Sequence, residues 1–427
     1  MDKHRIGAAV RERTIPVRST RLVGGEFFLA FMSLAVILQF PGNTFLALGL
    51  PILALLWNGI QRHYLPRPWV GGVAVAWLAV SSVAALFALA KFDVLLDRNY
   101  FLLFVSLLVT ALVLTMGQNR PVVASLARWI YISFLLLTII GVAEVLTGFK
   151  LVFIRYPDTT VWWWVANYRW ITTAVYANYN DFSVAIAVFA LFLLARMLLA
   201  PKAVPTQLLR GLSVLTIAVW ILAMGSRGAL LGLVVGAAVL LFIAARARDS
   251  RAFPPWLIVT GASLSLLGAT VLAQSSYIQD GDTAARFRII SRIWSLLSED
   301  PAKALTGFGS PEVLQKLAEN RLENQLVNPH NMLVEALLWG GFPALTGLLI
   351  LWALVVWFSL TNRIEKNWYA MASAAFTVAM PVFGLAPSVF LHYLYPQLIM
   401  LVAACSVSPR RPAAEARDGD REPTMPR

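Results

Sequence analysis

The sequence is short of charge and of cysteine. Only 13% of its 427 residues are charged and 59% are hydrophobic, whereas a soluble domain has about 25% charged and about 45–50% apolar residues. This balance excludes a soluble enzyme, a disordered chain and a coiled coil. The single cysteine, Cys405, allows neither a disulfide within the chain nor a thiolate metal site. The composition therefore favours a polytopic membrane protein.

Long apolar runs, separated by proline, glycine and charged clusters, fill most of the chain. Breaking the sequence at those clusters predicts an all-α membrane protein of about twelve transmembrane helices. The shortest spans, of about 17 residues, need tilt or long flanking side chains to match the bilayer. The spans are predicted at 22–40, 44–60, 69–90, 100–116, 122–147, 180–200, 208–224, 228–245, 255–273, 331–359, 368–386 and 388–404.

The Lys and Arg residues predict the orientation of these spans. The net charge of +13 could indicate nucleic-acid binding, but the charges flank apolar spans, so no nucleic acid is expected. Of the 35 Lys and Arg residues, 23 fall in the tails and in alternate loops, which the positive-inside rule places in the cytoplasm. No cleavable signal peptide is expected, because the apolar stretch Leu22–Phe40 lacks a small-residue cleavage site.

This topology divides the chain into tails, two helical blocks and two long outside loops. The long second loop is the one place for a small extramembrane subdomain, and Pro311–Val327 within it has the pattern of an amphipathic helix. The predicted segments are a cytoplasmic tail at 1–21, spans one to nine at 22–273 with an aromatic loop at about 148–179, the long loop at 274–330, spans ten to twelve at 331–404, and a cytoplasmic tail at 405–427.

The aromatic loop contains Trp162–Trp164 and several tyrosines beside Arg155 and Arg169. An aromatic run at a membrane edge is typical of an interfacial belt. The same rings would also form a platform on which sugar rings stack, with Trp164 and Arg169 as substrate contacts. Both interpretations stay open at this point.

Arg227 lies in a tight turn between two spans, in the sequence Gly225-Ser226-Arg227-Gly228. The glycines alone could serve close helix packing. The positive-inside rule does not explain an arginine on the outer side of the membrane, however, so anion binding is the more specific interpretation.

A second polar group, Asn328-Pro329-His330-Asn331, precedes the tenth span, which contains Glu335. The N-terminus of a helix favours an anion through its free N–H groups and its dipole. Neutral imidazole accepts a proton near neutral pH, so His330 is a candidate base, although a structural hydrogen-bonding role is the alternative. We expect Glu335, five residues further along the helix, to have a structural role or to pair with an arginine.

Three arginines, Arg286, Arg288 and Arg292, occur early in the long loop. In a helix, Arg288 and Arg292 would share one face and Arg286 would not. The segment is either a solvated basic face or a site for phosphate or lipid headgroups. Nearby, Asp280 and Asp282 form an Asp-x-Asp pair, but in a glycine-containing loop they are expected to be solvated turn residues rather than metal ligands.

Taken together, these motifs resemble the O-antigen ligase and Wzy polymerase superfamily. The similarity rests on Ser226-Arg227-Gly228 before an apolar helix, on the arginine-rich segment leading to Gly307-Phe308-Gly309, and on His330-Asn331 followed by Glu335. In addition, the segment Ala177–Asp181 resembles an Asn-Pro-Asn-like element of that family, with Tyr179 where proline is common, which suggests Asn180 as a substrate contact. The resemblance covers roughly residues 175 to 345.

The resemblance implies a GT-C-like membrane glycosyltransferase in the bacterial inner membrane, acting at the periplasmic face without a metal or other cofactor. Such a ligase transfers a glycan from undecaprenyl diphosphate to the lipid A–core oligosaccharide, whereas a polymerase uses a second undecaprenyl-linked glycan as acceptor. The catalytic candidates are then His330, Arg227 and Arg288. The substrate-binding candidates are Arg286, Arg292, Asn331, Glu335, Asn180, Arg169 and Trp164.

Two other functional classes fit twelve helices. A secondary transporter for anions would show paired halves with broken helices, and the sequence has no such internal repeat. A scaffold that binds membrane lipids without chemistry is the remaining alternative.

Overall fold

A computed structural model describes thirteen stretches of the chain. They are residues 23–39, 120–151, 171–176, 178–199, 203–248, 282–299, 301–307, 331–361, 363–364, 367–387, 390–391, 393 and 395–408.

The described stretches are helical, apart from two very short strands that pair antiparallel. This confirms the all-α class, while the total of twelve spans stays a prediction. The helices are α1 (Val23–Ile37), α2 (Arg120–Thr147), α3 (Tyr179–Leu199), α4 (Val204–Ala223), α5 (Arg227–Arg248), α6 (Asp282–Glu299), α7 (Pro301–Thr306), α8 (Met332–Thr361), α9 (Trp368–Phe383) and α10 (Tyr395–Cys405), and the strands are β1 (Arg363–Ile364) and β2 (Val407–Ser408).

Five of these helices are long and apolar enough to cross a membrane. Together with the composition, they make the chain a membrane protein. The five spans are Val123–Thr147, Tyr179–Leu199, Val204–Ala223, Arg227–Ala245 and Gly340–Trp357. The spans predicted at 44–60, 69–90, 100–116 and 255–273, and the amphipathic helix predicted at Pro311–Val327, lie outside the described residues.

Helix α3 is the centre of the described bundle. Its residues from Asp181 to Leu193 are buried all round, as expected of a helix that is hydrophobic on every face. It packs against α2, α4, α5 and α9, and α9 in turn packs against α5, α8 and α10. By contrast, α4 exposes an apolar stripe of Leu208, Leu212, Leu215 and Val219, which suits contact with lipid.

Two helices differ from the predicted spans. Helix α8 contains a break at Gly341, whose φ of 67° and ψ of −167° are not helical. A Cβ at this position would lie 2.6 Å from the carbonyl oxygens of Ala304 and Leu305 in α7, so α7 can pack there only against a glycine. Helix α10 begins at Tyr395 instead of at 388, because the described residues of that part, Phe390, Leu391 and Tyr393, are buried in a non-helical conformation.

The break at Gly341 generates a test with a matched control. Gly341→Ala forces a side chain into a backbone region that is nearly glycine-only, at a cost of about 1–3 kcal/mol, and adds a collision with α7 carbonyls. Gly148, with φ 75°, has no atom within 4 Å of an added Cβ, so Gly148→Ala carries only the backbone cost of about 1–2 kcal/mol. Thermal unfolding in detergent should show the larger loss for Gly341→Ala, and equal losses would contradict the packing of α7 on α8.

Candidate functional site

The N-terminal ends of α3, α5 and α8 meet at the turn that joins α9 to α10. We call the described residues of this connection, 384–387, 390–391 and 393, the α9–α10 turn. Two glycines permit the close approach: a Cβ on Gly228 would lie 2.9 Å from the Cβ of Ala386, and one on Gly384 would lie 2.8 Å from Cγ of Met332. Arg227 and Asn331 begin or immediately precede two of these helices, so the turn brings both predicted polar motifs to the same end of the bundle.

Glu335 holds the α9–α10 turn against α8. Its carboxylate oxygens accept hydrogen bonds from the backbone N–H groups of Phe390 and Leu391, at 3.1 and 3.0 Å, and its side chain is 1% exposed. Buried backbone donors need acceptors, and this carboxylate supplies two of them. The position supports the structural role expected from the sequence, while substrate binding by Glu335 stays a prediction.

Asp181, in the first helical turn of α3, is hydrogen-bonded to a tyrosine of the α9–α10 turn. The hydroxyl of Tyr393 donates a hydrogen bond of 2.5 Å to Oδ2 of Asp181, and both side chains are buried. The ring of Tyr393 packs edge-on against the ring of Tyr176, with centroids 5.1 Å apart. Three elements are thereby fixed to one another: α3, the segment that precedes it, and the α9–α10 turn.

Tyr176 shows that part of the aromatic loop is core rather than membrane surface. The side chain is 1% exposed, and its hydroxyl donates a 3.0 Å hydrogen bond to the carbonyl of Ile37 in α1. Burial raises the pKa of the Tyr176 phenol well above its ordinary value, and the charge of Asp181 adds to the rise. The hydroxyl therefore remains protonated and remains a donor.

The two ends of the aromatic loop are tied together by Glu144 near the end of α2. This buried carboxylate accepts hydrogen bonds from the backbone N–H groups of Leu151, Thr173 and Ala174, at 2.8, 3.3 and 3.1 Å. Nζ of Lys150 donates a hydrogen bond to the carbonyl of Ile171 at 2.6 Å. Burial lowers the pKa of Lys150 from its ordinary value, and the charge of Glu144 opposes that shift.

Arg227 has an exposed side chain at the start of α5. The turn before it has the geometry of a helix C-cap: Gly225 has φ 74°, and the N–H of Ser226 bonds to the carbonyl of Ile221 at 3.3 Å. The buried Ser226 follows, and α5 starts at Arg227 with an exposed side chain. The turn thus places a guanidinium on the surface at the N-terminus of a long helix, where the helix dipole also favours an anion.

The two asparagines that the sequence suggested as substrate contacts occupy helix starts. Oδ1 of Asn331 accepts the backbone N–H groups of Leu333 and Val334, at 2.9 and 3.3 Å, so Asn331 is the N-cap of α8. The half-buried Asn180 lies in the first turn of α3, and its N–H bonds to Oδ1 of Asn178 at 2.8 Å. Contact of either residue with a substrate stays a prediction.

The arginine-rich segment is helical, which is the condition under which Arg288 and Arg292 share a face. Arg286, Arg288 and Arg292 lie on α6, with Arg288 and Arg292 one turn apart. Asp282 is the first residue of α6 rather than part of the loop predicted for it. Helix α6 contacts α7, which packs on α8 around Gly341. His330, Arg169 and Trp164 lie outside the described residues.

Within the described parts of the chain, no three His, Cys, Asp or Glu side chains come together in a way that could hold a metal ion. Asp181 and Glu144 are not among the site residues predicted from the sequence, although both are single acidic residues in long apolar runs. The cost of burying a charge in such a run was the signal that could have identified them, and it points to a structural role as readily as to a catalytic one.

The Glu335 interaction yields a stability test. A glutamine at this position has one acceptor oxygen and one NH₂ group, so one backbone N–H of the α9–α10 turn would lose its acceptor, at a cost of about 1–3 kcal/mol. Glu335→Gln should therefore lower the unfolding temperature in detergent. Glu299→Gln, which changes an exposed acid on α6, is the control and should have little effect. A Glu335→Gln protein as stable as the control would show that the carboxylate does not hold the turn.

One family comparison covers this part of the chain. The Wzy_C family model, described as O-antigen ligase, matches residues 212–349, a stretch that contains Arg227, α6 and the start of α8. A comparison with the curated proteins finds no match. The match supports the resemblance to the O-antigen ligase and Wzy superfamily that the sequence motifs indicate.

Proposed function

We propose that this protein is an O-antigen ligase of the bacterial inner membrane. It takes a glycan from undecaprenyl diphosphate at the periplasmic face and transfers it to a hydroxyl of the lipid A–core oligosaccharide, with inversion at the anomeric carbon and without a metal ion. The family match supports an enzyme of the glycosyltransferase kind acting on lipid-linked glycans. The acceptor, the GT-C-like fold and the orientation of the chain are parts of the proposal.

One observation carries the proposal: the starts of α5 and α8 lie against the same turn. Through Gly228 and Met332, both helix starts contact the α9–α10 turn within a few residues of each other. Arg227 begins α5, and His330 comes just before the N-cap of α8. Arg227 therefore begins one of two neighbouring helices, and His330 directly precedes the N-cap of the other in the sequence. Transfer from a diphosphate requires such a cation and such a base.

The charge that develops in the reaction sits on the leaving group. As the acceptor oxygen bonds to the anomeric carbon, the bond from that carbon to the diphosphate oxygen breaks, and its electron pair leaves with the lipid diphosphate. Preorganised cations stabilise such a charge most strongly. Arg227 can bind two phosphate oxygens through its planar fork of donors, and the dipoles of α5 and α8 act in the same sense.

The proton of the acceptor hydroxyl goes to His330 in this proposal. Imidazole is neutral in a large fraction of molecules at neutral pH, so it can accept a proton there. Arg288, with Arg286 or Arg292 beside it, supplies the second cation for the diphosphate. Asn180, Asn331, Arg169 and Trp164 are proposed contacts to the glycan or the acceptor, and Glu335 acts by holding the α9–α10 turn.

A Wzy-type polymerase is the second candidate, because the matched superfamily includes both activities and the donor chemistry is identical. The two differ in the acceptor, which in a polymerase is a second undecaprenyl-linked glycan. The description of the matched family as O-antigen ligase favours the ligase.

Arg227→Lys tests the guanidinium. Lysine keeps the charge but loses the bidentate fork, so the variant should retain expression and membrane insertion and lose most of the transfer activity. Arg248→Lys, the same change at the other end of α5, is the control and should transfer at the wild-type rate. Wild-type turnover in Arg227→Lys would remove this residue from the site.

His330→Gln tests the base. A general base contributes about 10²–10⁴-fold in rate, so both His330→Ala and His330→Gln should reduce transfer by that order while donor binding changes far less. The wild-type rate should fall as the pH is lowered, because the base is lost when the imidazole is protonated. His63→Gln is the control. If His330→Gln transfers glycan at close to the wild-type rate, the histidine orients a substrate and does not accept the proton.

A further inference from the structure

A second group of cations lies at the end of the bundle away from the candidate site. Arg196 is near the C-terminal end of α3, fifteen residues after Asp181, which at 1.5 Å per residue puts them about 22 Å apart along the helix. A diphosphate bound beside Arg227 could not reach it. The chemistry proposed above therefore gives Arg196 no role.

Arg196 sits in a corner formed by two aromatic rings. Its guanidinium carbon lies 4.7 Å from the ring centroid of Tyr131 and 5.0 Å from that of Trp368, and the two rings meet edge to face with centroids 5.6 Å apart. All three side chains are half-buried. Cation–π contacts hold a guanidinium in place, but the face of an aromatic ring offers its N–H groups no oxygen or nitrogen acceptor. Nε of Arg196 is buried and has no hydrogen-bond partner in the described structure.

No described carboxylate balances this charge. The buried acidic side chains of the described chain are Glu144, Asp181 and Glu335. Asp181 and Glu335 belong to the α9–α10 turn, and Glu144 to the end of α2 that faces the same way. Arg196 is thus fixed, partly accessible and not paired with any acid among the described residues.

Further positive charge surrounds the same corner. Nη1 of Arg210, a buried residue of α4, donates a 3.0 Å hydrogen bond to the carbonyl of Arg196. Arg128 is exposed and lies one turn before Tyr131 on α2. Trp368 is the first residue of α9, where the N-cap Asn367 accepts the N–H of Ala370 at 2.8 Å, so the positive end of that helix dipole is also here.

We infer that this corner, formed by Arg196, Arg210, Tyr131 and Trp368, binds the phosphate of an anionic phospholipid headgroup. The guanidinium fork matches phosphate oxygens. Half-buried tyrosine and tryptophan rings are typical of the membrane–water interface, and basic pockets between membrane helices bind anionic headgroups. The exposed apolar stripe of α4 provides a surface for acyl chains, which favours a lipid over a free phosphate. The inference does not depend on the proposed reaction.

The test uses the full chain, delipidated in detergent, with phosphatidylglycerol as the probe. A ligand that binds the folded state raises the unfolding temperature by mass action. Phosphatidylglycerol should raise it, whereas phosphatidylcholine and inorganic phosphate should not. Arg196→Gln should need about tenfold more phosphatidylglycerol for the same rise, since a lost bidentate charged contact is worth about that factor. Arg248→Gln removes the same charge from the end of α5 and should behave like the wild type.

Three results would overturn the inference. Equal stabilisation by phosphatidylcholine would indicate general solvation by lipid, and equal stabilisation by inorganic phosphate would indicate a free-anion site. If Arg196→Gln needs the same amount of phosphatidylglycerol as the wild type, the arginine contributes only to the orientation of the chain in the membrane. Should Arg196→Gln not fold, Arg196→Lys decides, because it keeps the charge and the aliphatic stem but not the fork: a several-fold weaker response supports the site, and a wild-type response overturns it.

Discussion

The packing of the described bundle depends on hydrogen bonds to the backbone N–H groups of the α9–α10 turn, which lies in an apolar interior. Its N–H groups at Phe390 and Leu391 have no helix to bond to, and water is largely excluded, so an acceptor must come from a neighbour. Glu335 provides it. Once that turn is fixed, the starts of α5 and α8 can pack on it through Gly228 and Gly384. The placement of Arg227 relative to α8 therefore depends on a buried carboxylate whose hydrogen-bond partners in the described structure are backbone groups of the turn.

Much of the helical order could be predicted from the sequence, because long apolar runs and their breaks are local signals. The turn at Gly225 and Ser226 predicted the start of α5, and the polar group before Asn331 predicted the start of α8. The remainder depended on distant contacts. The break at Gly341 depends on the carbonyls of α7, and the burial of Tyr176 depends on α1 and Tyr393. No local sequence pattern predicts either of them. The apolar run after 388 resembled a span, although Phe390, Leu391 and Tyr393 within it belong to the α9–α10 turn.

The candidate site shows the same division. Charged and titratable residues at span ends, such as Arg227, were identifiable from the cost of placing them there. The carboxylates that organise the site, Asp181 and Glu144, carry the same cost but were passed over, since their partners are backbone groups and a phenol from other parts of the chain. At the other end of the bundle, nothing in the sequence singles out Arg196. Its two ring contacts and the lack of a paired acid among the described residues suggest a ligand.

Glycan transfer by the purified chain in detergent is the most direct test of the proposed ligase activity. The donor is undecaprenyl diphosphate carrying a radiolabelled glycan, and the acceptor is lipid A–core oligosaccharide, each omitted in turn. We predict that label moves to lipid A–core and that this needs no added metal. Label that moves only to a second undecaprenyl-linked glycan would make the protein a polymerase. No transfer to either acceptor by folded protein would contradict the claim that it is a glycosyltransferase.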